Sequence, residues 1–220
     1  MTAIKKGDFV EVEYTGRLKE TEEVFDTTDE KLAKETKIHR KNMIYGPVTV
    51  CIGQAQLIKG LDDELIGKET GKSYKIELPP EKAFGKKDAK LFKVVPFSAF
   101  KKHKIIPEPG MQVNIDGLLG IVRTTTGGRC IVDFNHPLAG KAIVYDIKIN
   151  GIITDNRQKI KSFLGLELGI KDANIEIKEG KATIALKKEM PKETAEIISK
   201  KLKEIIPAVK EFVFTQEKKK

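Results

Sequence analysis

The sequence predicts an α+β protein in which an antiparallel sheet wraps on a short helix, a β-rich domain is inserted into a loop, and a C-terminal α+β domain follows. The first observation behind this prediction is that apolar and polar residues alternate through most of the first half, as in sheets with one buried and one wet face. The second is that the alternation stops and then returns at 141–152. The third is a change to mixed helix and strand spacing after that point.

Three strands in the first half show the alternation, around Val12, Val50 and Ile76. The segment 56–64 has helical spacing instead, which predicts a short helix that covers the sheet. The connection 29–45 is interpreted with equal weight as a surface helix or flap and as a solvated loop.

Residues 86–134 carry the signals of an independent inserted unit. Its strands are expected at 91–95 and near 111–115, 118–124 and 128–134. The pair Gly127-Gly128 marks a hairpin turn, and Phe97–His103 is expected to form a turn or short helix. The predicted domains are 1–85 plus 135–153, then 86–134, then 154–220.

The C-terminal segment mixes helices with strands. Asp155 is the predicted N-cap of a first helix, and Pro191 opens a second. Two strands meet at a turn around Gly180, and a last strand ends near Phe214. Because both helices have apolar faces, we expect a homodimer through this domain, which would raise the effective concentration of client-binding sites. The alternative is that these faces offer a second surface for clients.

The composition narrows the function classes. The chain has 220 residues, 40% of them hydrophobic and 33% charged, and only two cysteines. No stretch approaches the ~20 apolar residues that span a membrane, and no secretory signal is expected at the N-terminus. We therefore expect a cytoplasmic protein without a membrane partner. The net charge of +9 comes mostly from lysines interleaved with acidic residues, a pattern that argues against a nucleic-acid partner and matches heat-adapted proteins.

Three motifs lie in order along the first domain. The first is Val12–Gly16 followed by Val24–Thr28, the second is Ile52–Leu61, and the third is Leu78–Gly85. Together they resemble the FKBP-type peptidyl-prolyl cis–trans isomerase family. The insertion after the third motif and the segment Asp133–Lys141 resemble the branch that includes SlyD and the archaeal members, and the extra C-terminal domain resembles the long archaeal form.

The resemblance implies an apolar pocket for a proline ring. The residues implied in catalysis are Tyr14, Phe25, Asp26, Ile58, Phe84 and Tyr145. The residues implied in substrate binding are Val48, Leu57, Leu61 and Leu138. Asp26 would bond Tyr14 at the rim, and the Ile58 N–H would donate to a substrate carbonyl. Many members have tryptophan where this chain has Leu61, and the wider pocket floor argues against tight macrolide binding. A tyrosine is also common where this chain has Phe84, which lacks the hydroxyl that could bond a substrate carbonyl.

The implied chemistry requires neither a cofactor nor a metal. Rotation about the peptide C–N bond has a barrier of about 18–20 kcal/mol. At the twisted transition state the amide loses its resonance and becomes less polar, so a dry apolar cradle favours it over the planar ground state. The three histidines are dispersed along the chain, so we expect no specific metal site.

The inserted domain is apolar for its size. Residues interpreted as a surface for unfolded polypeptides are Leu91, Phe92, Val94 and Phe97. The resemblance to SlyD implies chaperone function there, whereas a small core with a few apolar residues at its surface is the alternative. The predicted function is isomerisation of X–Pro bonds in unfolded or partly folded, proline-containing clients. The alternative function is a client-binding chaperone with weak or no isomerase activity.

Overall fold

The computed structural model describes residues 2–41, 43, 45–101, 105–170 and 172–217. In chain order the helices and strands are β1 (Phe9–Leu18), β2 (Val24–Thr27), α1 (Glu30–Glu35), β3 (Val48–Cys51), α2 (Lys59–Leu65), β4 (Ser73–Leu78), β5 (Phe92–Pro96), α3 (Phe97–Lys101), β6 (Gln112–Ile115), β7 (Leu118–Thr126), β8 (Arg129–Asp133), β9 (Ile143–Ile152), α4 (Asn156–Leu168), β10 (Ala173–Lys178), β11 (Lys181–Leu186), α5 (Lys192–Ile205) and β12 (Glu211–Gln216). The predicted α+β class is confirmed.

The chain divides into two compact units. The first joins Met1–Leu78 to Ile143–Lys220, and the second is Pro79–Ala142. The second unit extends further at both ends than the inserted domain predicted at 86–134. The segment predicted as a separate C-terminal domain belongs to the same compact unit as the first sheet.

A five-stranded antiparallel sheet forms the first part of the larger unit. Its strand order is β2-β1-β9-β4, and β3 also pairs with β1. The helix α2 packs on β4 and buries Leu61 and Leu65, as the helical spacing predicts. The last pair of residues along β4 and β9 is Leu78 with Ile143, at the point where the chain leaves this unit and returns to it.

The connection after β2 contains a short helix. The Asp29 carboxylate accepts hydrogen bonds from the N–H groups of Lys31 and Leu32, which caps the start of α1. Of the two interpretations of 29–45, the structure therefore has the surface helix over its first part. Residues 42 and 44 lie outside the described chain.

The C-terminal part packs two helices on a three-stranded sheet of order β10-β11-β12, in which β12 runs parallel to β11. Asp155 caps α4 as predicted, and Gly169 ends it in the left-handed conformation, which glycine adopts at little cost. The core includes the apolar face of α5, namely Ile198, Leu202 and Ile205. The apolar face that suggested a homodimer is thus buried within the C-terminal part itself.

Two residues of the first sheet belong to this C-terminal core. Phe9 and Cys51 are both 1% exposed and cluster with Phe163 and Leu164 of α4. They are register partners on β1 and β3. The outer face of this sheet, which the alternating pattern predicts to be solvent-exposed, is therefore partly covered by α4.

The second unit is a four-stranded antiparallel sheet of order β5-β8-β7-β6. Gly127 and Gly128 both have positive φ, as a tight hairpin turn between β7 and β8 requires. The predicted helix at Phe97–His103 ends at Lys101, and His103 lies outside the described residues. The core consists of Val95, Phe100, Val113, Val122, Cys130 and Val132.

The two ends of this unit are joined to each other. The Gly140 N–H donates to the Gly85 carbonyl at 2.8 Å. The Asn135 side chain accepts from the Asp88 N–H at 2.7 Å and donates to the Asp88 carbonyl at 3.1 Å. Entry and exit of the insert therefore lie side by side within the unit itself.

Candidate active site

Three aromatic rings meet on the inner face of the first sheet. Tyr145 on β9 is 2% exposed. The ring of Tyr14 on β1 stands edge-on to it with centroids 5.7 Å apart, and the ring of Phe25 on β2 does the same at 5.8 Å. Such T-shaped pairs are a favoured aromatic geometry and form a rigid apolar surface.

Gly16 allows these rings to come close to the strand. A Cβ atom at this position would lie 2.8 Å from Phe25 Cζ and equally close to Tyr145 Cε1. Gly16 is the register partner of Tyr145 on one side and of Asp26 on the other. The Gly of the first motif is therefore explained by space for the aromatic rings.

Asp26 lies at the edge of this aromatic cluster. Its carboxylate accepts a hydrogen bond from the Tyr14 hydroxyl. Burial raises the pKa of Asp26, and the bonds from Tyr14 and from the Thr27 backbone and the charge of Arg40 offset only part of that rise. Burial and the Asp26 carboxylate in turn raise the pKa of Tyr14, so the tyrosine remains a hydrogen-bond donor.

The two threonines after Asp26 fasten β2 to β1. The Tyr14 N–H donates to Thr28 Oγ1 at 2.9 Å, and the Thr28 N–H donates to the Tyr14 carbonyl at 2.9 Å. Thr27 and Thr15 share a hydrogen bond between their hydroxyls at 2.8 Å. These bonds hold the backbone on both sides of the Tyr14–Asp26 pair.

A tight loop, residues 53–58, leads to Ile58 and the start of α2. Asp62 Oδ2 accepts from the Gly53 N–H at 2.8 Å, and the carboxylate also accepts from the Ala55 N–H. The Ile58 carbonyl accepts from the N–H groups of Leu61 and Asp62, which begins the helix. In the described part of the chain, the Ile58 N–H donates no backbone hydrogen bond outside the helices and strands.

The other pocket residues of the first unit have graded burial. Leu61 is almost fully buried, Val48 is buried at the start of β3, and Leu57 is half-buried. The structure thus brings Tyr14, Phe25, Asp26 and Tyr145 into one cluster. The roles of Val48, Leu57, Ile58 and Leu61 toward a substrate stay predictions.

Phe84 and Leu138 belong to the second unit. Phe84 stacks on His136 with ring centroids 4.6 Å apart and an angle of 4° between the planes. His136 Nδ1 accepts a hydrogen bond from the Leu138 N–H at 3.2 Å. His136 therefore connects the two predicted pocket residues of this unit, while their contact with a substrate stays a prediction.

The insert has an apolar outer face. Val94 on β5 is 63% exposed and lies directly opposite Ile131 on β8, which is also exposed. Phe92 and Leu91 precede Val94 and are exposed as well. Phe97 differs, because it is half-buried and packs against the core of the unit.

Sequence reasoning did not identify Gln56, Asp62 or His136 as part of this arrangement. Gln56 lies within the second motif, Ile52–Leu61, and Asp62 directly follows it, but neither residue differs in type from its polar neighbours. His136 lies within the segment Asp133–Lys141, but its stacking on Phe84 joins residues that are distant in the chain and has no local signature.

Among the described residues, no three His, Cys, Asp or Glu side chains come together as a metal-binding group. None of the helices in the described ranges combines the length and apolar character needed to cross a membrane.

Two family models match the chain. One is described as FKBP-type peptidyl-prolyl cis-trans isomerase and matches residues 1–101. The other is described as FKBP26, IF domain, and matches residues 93–138. The second match covers most of the sheet of the smaller unit.

Curated relatives cover the same region. The short-type peptidyl-prolyl cis-trans isomerase of Methanocaldococcus jannaschii is 35% identical over 149 residues, which is 68% of this chain and 94% of that protein. SlyD of Treponema pallidum is 29% identical over 147 residues, covering 65% of this chain and 74% of that protein. The FKBP-type 16 kDa peptidyl-prolyl cis-trans isomerase of Escherichia coli K12 is 31% identical over 112 residues, which cover 47% of this chain and 72% of that protein.

Proposed function

The chain belongs to the FKBP-type peptidyl-prolyl cis–trans isomerase family, and we propose that it isomerises X–Pro bonds in unfolded or partly folded polypeptides that its inserted unit holds. The observation that carries the pocket assignment is the buried cluster of Tyr14, Phe25 and Tyr145 with its single carboxylate, Asp26. The matched family model and the relatives are named as peptidyl-prolyl cis-trans isomerases, and the inserted unit adds a surface that holds the polypeptide.

The aromatic cluster supplies a dry surface for the proline ring. In the planar ground state an X–Pro amide carries partial charges on O and N, and water stabilises them. Transfer to an apolar surface removes that stabilisation, and the twisted transition state loses less because it is less polar. An interaction that favours the twisted state by about 1.4 kcal/mol accelerates the reaction tenfold.

Two polar groups orient the substrate at the edge of this surface. The Ile58 N–H donates a hydrogen bond to a substrate carbonyl next to the rotating X–Pro bond. The Asp26 carboxylate, fixed by the Tyr14 hydroxyl, provides a negative field beside the amide. No bond to a protein atom forms, so binding and orientation account for the whole catalytic effect.

The outer face of the insert holds the client. Val94 and Ile131 form a directly opposed apolar pair, and Leu119 on β7 is 62% exposed. Exposed apolar patches of this kind mark interaction sites, and an unfolded client offers many matching side chains. Because the insert and the pocket belong to one chain, a held client meets the pocket at a raised effective concentration.

The test separates the two activities with two substrates. A short X–Pro peptide requires the pocket alone, whereas a proline-limited refolding protein also requires holding. We expect Val94→Ser combined with Ile131→Ser to preserve peptide isomerisation, to lower the refolding rate, and to weaken suppression of aggregation. Ile197→Ser, which changes an equally exposed residue of α5, is the matched control.

Two outcomes would contradict parts of this proposal. Unchanged refolding in the double variant would remove the client-holding role of the insert. A wild-type protein that suppresses aggregation but leaves the short peptide at its uncatalysed rate would be a client-binding chaperone on this scaffold.

A homodimer through the C-terminal part stays a prediction. Since the apolar face of α5 is buried in its own core, a contact between copies would use exposed residues such as Leu166 and Ile197. Sedimentation velocity tests it, and a monomeric mass at working concentration would argue against the dimer.

A further inference from the structure

The side chain of Gln56 joins the end of β3 to the C-terminal helix α4. Its Oε1 accepts a hydrogen bond from the Cys51 N–H at 2.8 Å, and its Nε2 donates to Glu167 Oε1 at 2.9 Å. A backbone N–H only donates and an ionised carboxylate only accepts, so these two partners fix which way the amide of Gln56 faces.

Gln56 lies within the loop that leads to Ile58. The first half of this loop is held by Asp62, which accepts from the N–H groups of Gly53 and Ala55. Ala55 has a φ of 57°, so the backbone turns sharply just before Gln56. The Gln56 side chain then holds the second half, and the chain reaches Ile58 two residues later.

Helix α4 is a firm support for this contact. Phe163 and Leu164 pack with Phe9 and Cys51 in one core. Lys159 Nζ lies 5.6 Å from the centre of the Phe9 ring, a cation–π distance. The position of Glu167 relative to the end of β3 is therefore set by buried packing and does not depend on its own exposed side chain.

We propose that Gln56 is a positioning residue for the isomerase reaction and that Glu167 holds it in place. Gln56 sets the direction of the Ile58 N–H, and through Glu167 the C-terminal part of the chain contributes to catalysis. This inference rests on the proposed role of the Ile58 N–H as the donor to the substrate carbonyl.

The experiment measures kcat/KM on a short X–Pro peptide with the full chain. We expect Gln56→Ala to lower kcat/KM about fivefold and Glu167→Ala about two- to threefold, which are the effects of a modest loss of orientation. Glu167→Gln retains an oxygen that accepts from Gln56, so it should restore most of the activity. Lys161→Ala, an exposed change on the same helix, is the matched control.

Two readouts separate positioning from a general loss of stability. The double variant Gln56→Ala with Glu167→Ala should be no slower than Gln56→Ala alone, because both changes break one chain of contacts. In ¹H–¹⁵N NMR spectra the Ile58 amide signal should shift in Glu167→Ala and return toward its original position in Glu167→Gln.

Unchanged kcat/KM in both single variants of an active protein would overturn the inference, and so would additive losses in the double variant. If the wild-type protein does not isomerise the peptide, the proposed function fails, and the Ile58 amide signal still decides the positioning role. An Ile58 signal that ignores Glu167→Ala would then exclude it. Since Glu167 is exposed, its variants test the link even if Gln56→Ala does not fold.

Discussion

The Tyr14 hydroxyl donates its hydrogen bond to the Asp26 carboxylate, and each residue controls the proton of the other. Burial and the carboxylate raise the pKa of Tyr14, so the phenol stays protonated and remains the donor. The same bond opposes the rise that burial causes in the pKa of Asp26. The pair therefore presents one defined acceptor charge beside the aromatic surface.

The first prediction concerns the pH dependence of isomerisation. Because the pKa of Asp26 is raised, its carboxylate takes up a proton at a higher pH than the ordinary value of about 3.9. We expect kcat/KM on an X–Pro peptide to fall as the pH is lowered through this raised pKa. Tyr14→Phe removes the hydrogen bond from the Tyr14 hydroxyl, which lowers the pKa of Asp26. This variant should therefore move the inflection of the pH–activity curve to higher pH.

Asp26→Asn should give a low activity without that inflection. Glu20→Gln removes an exposed carboxylate from the same unit and should leave the profile unchanged. An identical inflection in Asp26→Asn and wild type would show that another group titrates.

The second prediction concerns stability and has a fixed sign. A carboxyl whose pKa is raised on folding, as that of Asp26 is, binds its proton more tightly in the native state than in the unfolded state. Its contribution to the free energy of unfolding is therefore fully present below the ordinary pKa and is lost as the pH rises through the raised pKa. We expect Asp26→Asn to raise the midpoint of thermal unfolding at neutral pH relative to wild type. The gain should shrink in acid, and a gain that is independent of pH would contradict the assignment.

The third prediction tests the space above Gly16. An alanine Cβ would lie 2.8 Å from the rings of Phe25 and Tyr145, so the rings must move. We expect Gly16→Ala to cost about 1–3 kcal/mol of unfolding free energy and to lower peptide isomerisation more than tenfold. Gly151→Ala on β9 is the matched control, because its Cβ would meet no atom within 4 Å. Equal activity of the two variants would argue against the aromatic cluster as the catalytic surface.

The fourth prediction concerns the inserted unit. The side chain of Asp133 is 2% exposed and bonds Lys87, Arg123 and Asn135. Burial alone would raise its pKa, but the bonds from Asn135, Lys87 and Arg123 outweigh burial and hold the pKa below its usual range. This stabilisation is present above the ordinary pKa of about 3.9 and is lost as the pH falls toward the lowered value.

We expect Asp133→Asn to destabilise the inserted unit by about 3 kcal/mol at neutral pH, because two cations lose their buried partner. Urea unfolding followed by amide signals of the insert measures it. Asp88→Asn, an exposed neighbour, gives the baseline. A loss of the same size at pH 2 would contradict the electrostatic cause.

The fifth prediction addresses Phe9. It is fully buried in the C-terminal core although it belongs to β1. We expect Phe9→Ala to cost about 3–5 kcal/mol and to lower the unfolding midpoint of both parts of the larger unit together. Ile197→Ala, on the exposed side of α5, should be nearly neutral. Separate transitions in the wild-type protein would contradict this shared core.

Local patterns predicted much of this molecule because they depend on neighbouring residues. The alternation in β1, the N-cap at Asp155 and the Gly127-Gly128 turn are each determined within a few positions. The close approach of Tyr14, Phe25, Asp26 and Tyr145 followed from the resemblance, which carries long-range information that spacing alone does not.

The remaining features are long-range contacts with no local signature. Nothing about Phe9 indicates that it is covered by α4 from the far end of the chain. The alternation of β3 predicts that Cys51 faces away from the neighbouring core residues but does not predict what covers it. Gln56 likewise reveals its role only through Glu167, more than a hundred positions later.

The hydrogen bond between Gly140 and Gly85 has a consequence for how the chain folds. Leu78 and Ile143 must pair for β4 and β9 to form, and an unstructured connection of that length would make the pairing entropically costly and slow. An insert that folds on its own core first brings its two ends together and turns a distant pairing into a nearly local one. We therefore expect the inserted unit, once folded, to speed the formation of the sheet that hosts it.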